Sequence, residues 1–267
     1  MLHLYVDSLF VSKPDATRED YQALAEMVER ATHLPMDFDG TVYPWFAFLA
    51  ARANANLGVA NRFYGLSPDG EHKIRGIALR RGDTPLFIAN TQMKVLSILA
   101  KESDPTRLTD LLPEVFTVVQ EQLAALKQGE VPLEELVVTL TLSREPEKYS
   151  VLSPSAVVAK QLQAQGKIVK RGQRIRFIYI APAPGVWAWD APIDPNSKAV
   201  DRRKYREILI RAIQEVLQPL GMTETTLNNW LIGRVGYLAQ RGLFETTNPT
   251  KTALPLFAGV KYLRVDS

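Results

Sequence analysis

Residues 136–180 read "LVVTLTLSREPEKYSVLSPSAVVAKQLQAQGKIVKRGQRIRFIYI", and the hydrophobic period changes twice within them. "LVVTLTL" alternates, so Thr139 and Thr141 share one face of a strand. "SPSAVVAKQLQAQG" has Ser153 as N-cap, Pro154 in the first turn and Gly166 past the end, the punctuation of a complete short helix. "RIRFIYI" is a second strand. From Lys160 to Arg176 there are six cations (Lys160, Lys167, Lys170, Arg171, Arg174 and Arg176) and no acid. Such a run suits one basic face turned toward a polyanion, or a plain solvated surface.

The same signals extend outward in both directions. "TRED" from Thr17 forms a capping box with Asp20, and Tyr21, Leu24, Ala25 and Val28 place an amphipathic helix over 18–31. "MDFDGTVYPWFAFLA" is strand-like, with Pro44 favouring a bend or an edge. "RFYGLSPDGEHKIRGIAL" reads as two strands joined by the turn "SPDG". "NTQMKVLSILAKE" has helical character, and Pro113 opens a helix that Gly129 stops. On the C-terminal side, Tyr205, Ile208, Leu209, Ala212, Ile213, Val216, Leu217 and Leu220 mark a long helix closed by Gly221.

Composition closes several routes. With no cysteine, disulfide scaffolds, thiolate zinc sites and cysteine nucleophiles are excluded. His3, His33 and His72 lack paired spacing, and there is no phosphate-binding P-loop, nucleophile elbow or glycine-rich dinucleotide fingerprint. Asp37–Asp39 and Glu134–Glu135 read as solvated acids. The N-terminus lacks a basic region followed by an apolar signal core, and no apolar run is long enough to cross a bilayer, so a cytoplasmic location is expected. The net charge of +3 decides little; acids dominate from Lys101 to Lys148, and a second basic cluster follows from Lys198 to Arg211.

Five segments in order resemble family B DNA polymerases. "LYVDSLFV" (4–11) is similar to that family's metal-binding hairpin, usually Y-G-D-T-D-S-L-F-V. "NRFYGL" (61–66) resembles its K-x-Y-A-G stretch, and "IRGIALRRGDTP" (74–85) its K-G-L-E-x-V-R-R-D-W segment. The thumb is matched by residues 130–180 and its last helix by "DRRKYREILIRAIQEVLQPLG" (201–221). The resemblance implies an α+β chain with a truncated palm (antiparallel strands plus a helix) over 1–95. A mostly helical thumb with a small sheet, gripping duplex DNA, would span 96–221, and a tail 222–267.

The resemblance also implies residue roles. Asp7 falls on the hairpin Asp that serves as a shared magnesium ligand, whereas Tyr5 stands where the first Asp would be. Two-metal chemistry needs more than one protein carboxylate. The strand with the other palm Asp, the fingers helix and the exonuclease carboxylates have no counterpart here. A separate large chain carrying them is therefore the expected partner, as in a split enzyme, with a bacterial polymerase II-like subtype implied. Arg62 and Tyr64 take the K-x-Y positions near primer phosphates; Arg80 and Arg81 match the R-R pair. Lys160, Arg171, Arg174 and Arg176 are the implied duplex contacts, which position without reading sequence. Gln240, Leu243 and Phe244 form a Q-x-x-L-F string similar to a sliding-clamp peptide, or an ordinary amphipathic turn. The expected function is a palm–thumb subunit needing a partner for nucleotidyl transfer. The other reading is a non-catalytic accessory that binds duplex DNA or a clamp.

Overall fold

The computed structural model describes residues 3–5, 8–13, 15–51, 54–182, 185–191, 199–231 and 256–265. The chain is α+β, and every strand pair among the described residues is antiparallel. It divides into two compact units that are discontinuous in sequence. One holds residues 1–77, 95–116 and 214–267, the other 78–94 and 117–213. This partition by packing crosses the consecutive segments expected from sequence, because individual helices contribute residues to both units.

The first unit is built on a six-stranded sheet. Its strands are β1 (His3–Tyr5), β2 (Ser8–Val11), β3 (Met36–Ala51), β4 (Asn54–Leu66), β5 (His72–Arg75) and β9 (Leu256–Val265), in the order β1-β2-β9-β3-β4-β5. Phe10, Tyr43, Phe46, Phe48 and Phe63 cluster on it, with Phe10 and Phe46 ring centroids 5.1 Å apart. Helix α1 (Arg18–Thr32) opens with the expected capping box: Thr17 Oγ1 accepts from Asp20 N, and Asp20 accepts from Thr17 N at 2.8 Å. Its Tyr21 and Ala25 pack with Val11 and Phe38.

Pro44 sits where β3 pairs with β9 on one side and, among the described residues, with no strand on the other, a local edge in keeping with the sequence. The β3–β4 register starts at Trp45↔Leu66, so Pro44 lies just outside that ladder and its missing N–H costs no bond there. Between Phe38 and Val42 the β3–β9 register shifts. Gly40 sits in this irregularity at φ +75, with the Arg18 guanidinium 2.8 Å from where a Cβ would be.

The expected "SPDG" hairpin turn is present: Gly70 N donates to Ser67 O at 3.0 Å. The second strand is shorter than the sequence suggested. It ends at Arg75, and the chain enters a 3-10 turn at Ala78–Arg80. Gly76 explains the stop, because at φ +67 a Cβ would meet the Asn61 carbonyl oxygen at 2.1 Å.

In the second unit, β6 (Val138–Thr141), β7 (Arg174–Tyr179) and β8 (Val186–Ala188) form a sheet in the order β6-β7-β8. Helix α4 (Pro154–Gln163), capped by Ser153 as expected, covers one face. Val158, Ala159 and Leu162 of α4 pack with Ile175, Phe177, Val138 and Val186. Helices α2 (Leu86–Leu99), α3 (Leu112–Gln128) and α5 (Arg202–Leu217) contribute to both units, and α6 (Glu224–Leu231) belongs to the first. Within the second unit the fully buried Gln92 is a polar bridge. Its Oε1 accepts from Leu79 N and its Nε2 donates to Ala212 O, both at 2.6 Å. Tyr205 does similar work, donating to Leu136 O at 2.8 Å and accepting from Tyr179 N at 2.9 Å.

Two stability predictions follow from the first unit. Tyr64, 1% exposed, donates its hydroxyl to Val216 O at 2.6 Å, meeting one of the carbonyls that a helix end leaves unpaired. Tyr64→Phe strands that carbonyl, and urea unfolding should show a loss of about 1–3 kcal/mol. His72 is held below its ordinary value by burial, opposed by a backbone hydrogen bond with Gly65 and by Glu71. Between its folded and unfolded values the unfolded state binds more protons. Its contribution is therefore complete above about pH 6.5 and lost as pH falls through the depressed folded value. Unfolding free energy measured from about pH 8 to about pH 5 should fall less steeply in His72→Gln.

Candidate nucleic-acid interface

Strand alternation sorts the residues of β7. Ile175, Phe177 and Ile178 are buried, while Arg174 and Arg176 are exposed. The register places Thr139 opposite Arg176 and Thr141 opposite Arg174, so the two threonines and two arginines share the sheet face opposite α4. Arg176 is held on that face by Asp190. Its Nε donates to Asp190 Oδ2 at 3.2 Å and its Nη2 to Asp190 Oδ1, a two-pronged pair. This carboxylate also raises the guanidinium above its ordinary value, through the hydrogen bond first and the charge second. Among the described residues Arg174 makes no ion pair.

Arg80 ends the 3-10 turn and is exposed. Arg81 follows it, 3.6 Å from Asp83, and lines a cleft of about 540 Å³ together with Arg176 and Trp189. The structure thus joins two arginines that lie far apart in sequence. The others of the basic run are dispersed. Lys160 points outward from α4, on the opposite side of the sheet from Arg174 and Arg176. Arg171 sits in the turn before β7, its backbone N–H donating to Glu145 Oε2 at 3.1 Å. The expected single basic face is therefore divided, because a run that crosses from helix to turn to strand is distributed over both surfaces of a layer.

Arg62 and Tyr64 have internal partners. Arg62 Nη2 donates to Glu215 Oε1 at 2.5 Å and its Nε to Gly76 O at 3.3 Å, with Glu215 only 10% exposed at its side chain. A guanidinium so engaged supports a nearly buried carboxylate. Tyr64 departs further from its expected phosphate contact. Its one proton is donated to Val216 O, its ring packs edge-on against Trp45 at 5.9 Å, and burial pushes the phenol far above its ordinary value.

Asp7, and Gln240, Leu243 and Phe244 of the clamp-like string, lie outside the described residues. The strands flanking Asp7 do pair as a hairpin, with Tyr5 opposite Ser8. Among the described residues no three His, Asp or Glu side chains converge to hold a metal ion, so no metal-dependent step is derived from them. No helix among them is long and apolar enough to cross a membrane. Sequence reasoning missed Glu215, Asp190, Trp189 and Gln92. Like Glu215, whose partner Arg62 lies far away in sequence, the other three have roles that depend on tertiary pairing.

Comparison with known proteins agrees with this architecture. The family model described as DNA polymerase family B matches residues 60–220. A DNA polymerase of Archaeoglobus fulgidus is 26% identical over 239 residues, covering 83% of this chain and 28% of its own length. DNA polymerase 1 of Sulfolobus acidocaldarius is 25% identical over 219 residues, covering 81% and 23%. The solved structure of the family B DNA polymerase from Pyrobaculum calidifontis shares the fold with a TM-score of 0.53 at 22% identity, over 76% of this chain and 25% of that one. The chain spans about a quarter of the length of these relatives. With the matched segment extending from the hairpin strand β4 to the end of α5, the chain belongs to DNA polymerase family B.

Proposed function

We propose that this chain is the palm–thumb part of a family B DNA polymerase, gripping primer–template duplex through phosphate contacts. The observation that carries the reading is the patch of Arg174, Arg176, Thr139 and Thr141 on the sheet face opposite α4, which lies inside the family match at 60–220. Cations and hydroxyls on a rigid strand suit phosphate oxygens and fix the register of a duplex without reading its bases. Arg80, Arg81, Lys160 and Arg171 are further candidates. Arg62 is a weaker one while Glu215 engages it.

The relatives' remaining length carries polymerase elements that this stretch does not match. The reading assigns them to a companion chain with the fingers, the exonuclease and the second palm Asp. Family B DNA polymerases use divalent metal ions, and magnesium would supply charge stabilisation at the transferred phosphate. In this reading Asp7 contributes one ligand, and the chain's other residues bind and orient the duplex. A sliding clamp held through Gln240, Leu243 and Phe244 would be a second partner. Tyr5, in the place of the first hairpin Asp, favours the alternative of a non-catalytic duplex- or clamp-binding accessory.

Both readings expect duplex binding that weakens steeply with salt. Titrating labelled duplex at several salt concentrations, Arg174→Ala should bind more weakly and lower the log–log salt slope by about 0.9; an unchanged slope removes Arg174 from the interface. Primer extension separates the two readings. Copurifying the partner from the native host and mixing the chains should restore extension, and Asp7→Ala should abolish it with duplex affinity retained. A mixture that binds duplex but never extends a primer leaves the accessory role.

A further inference from the structure

A second cleft in the second unit, of about 420 Å³, shares no residue with the basic strand face. It lies within the size range of small-ligand sites, roughly 300–1,000 Å³. Its lining is mostly apolar: Leu126 and Leu136 are buried, and Val131, Leu133 and Val200 are half-buried around them. No aromatic ring lines it, so it offers a nucleic-acid base nothing to stack on.

Two opposite charges stand on this cleft. Helix α3 ends there, with Gly129 at φ +83 and the N–H groups of Gly129 and Glu130 both donating to Ala125 O at 3.0 Å. That closure sets Glu130, exposed, directly after the turn. Arg202 opens α5 and reaches the same turn, its Nη2 2.5 Å from where a Cβ on Gly129 would stand. The guanidinium therefore rests in a space that only glycine leaves free. Arg202 and Glu130 do not pair with each other, and neither side chain has a hydrogen bond or ion pair among the described residues. Both side chains are exposed, so both can be reached from solvent.

A bare anion would be repelled by Glu130, and a bare cation by Arg202. A ligand that suits the cleft carries a carboxylate, an N–H donor and an apolar group on one short frame. An amino-acid residue carries these three on a single carbon. We infer that this cleft binds an apolar amino-acid unit with a free α-carboxylate. Its carboxylate meets the Arg202 fork, its nitrogen donates to Glu130, and its side chain lies against Leu126, Leu133 and Leu136. Such a unit exists as a free amino acid and as the C-terminal residue of a polypeptide. The site needs no nucleic acid, so it goes beyond the duplex reading and its failure leaves that reading untouched.

The test titrates the full chain with L-leucine, N-acetyl-L-leucine and the uncharged N-acetyl-L-leucinamide, read by ligand-observed NMR. N-acetyl-L-leucine should bind with a dissociation constant on the order of 1 mM. Its amide, lacking the charge, should bind at least about tenfold more weakly. Arg202→Gln should bring the acid down to the level of the amide and leave the amide unchanged. Glu130→Gln should weaken L-leucine severalfold, because the ammonium loses its partner. L-leucine binding more tightly than the acetylated form assigns the site to a free amino acid, and the reverse assigns it to a C-terminal residue. Equal binding of acid and amide to the wild type overturns the inference, as does no saturable binding up to about 20 mM. That comparison decides even where a variant fails to fold. Arg202 serving only to offset the end of α3 would show as a lower melting temperature in Arg202→Gln with the acid's affinity unchanged, which also overturns it.

Discussion

Two side chains of β4 hold the end of α5 to the large sheet: the Tyr64 hydroxyl on the Val216 carbonyl and the Arg62 guanidinium on Glu215. Both interactions are buried or nearly so, where an unpaired carbonyl or carboxylate is expensive. They place polar closure at the point where the helix would otherwise end with open carbonyls. The same junction closes again through Gln218, whose Oε1 accepts from Ala50 N at 3.2 Å, at the strand residue where the β3–β4 register shifts. An irregular strand and a helix end thus satisfy each other's spare hydrogen-bonding groups.

The second unit uses the same device with different residues. Gln92 and Tyr205 each serve two backbone groups from a buried side chain, so the 3-10 turn bearing Arg80 and the strand bearing Arg176 are each tied to α5 residues of that unit. Binding groups mounted on such braced elements lose little freedom when a ligand arrives.

Much of this architecture was legible in the sequence. The caps at Thr17 and Ser153, the "SPDG" turn and the alternation of "RIRFIYI" are local signals, and local physics was enough to decide them. Pro44 is a local signal of the same kind, since the β3–β4 ladder begins only at Trp45 and leaves that side of the proline unpaired. The strand after "SPDG" stops short of its apolar pattern because Gly76 acts through the Asn61 carbonyl, a neighbour that no linear pattern displays. The candidate site was less legible. The charges were found, but their pairing with Asp190 and Glu215 is tertiary, and so is the division of one basic run between two sides of a layer.

On the interface proposed above, the Arg176–Asp190 pair would govern how nucleic acid is admitted. An arginine already matched by a carboxylate adds shape and donors but almost no net field, so the effective valence of the surface is smaller than its arginine inventory. An incoming phosphate must exchange places with Asp190 or settle beside an intact pair. Selectivity then arises from competition between two anions for one fork, a threshold that a uniformly basic groove would lack.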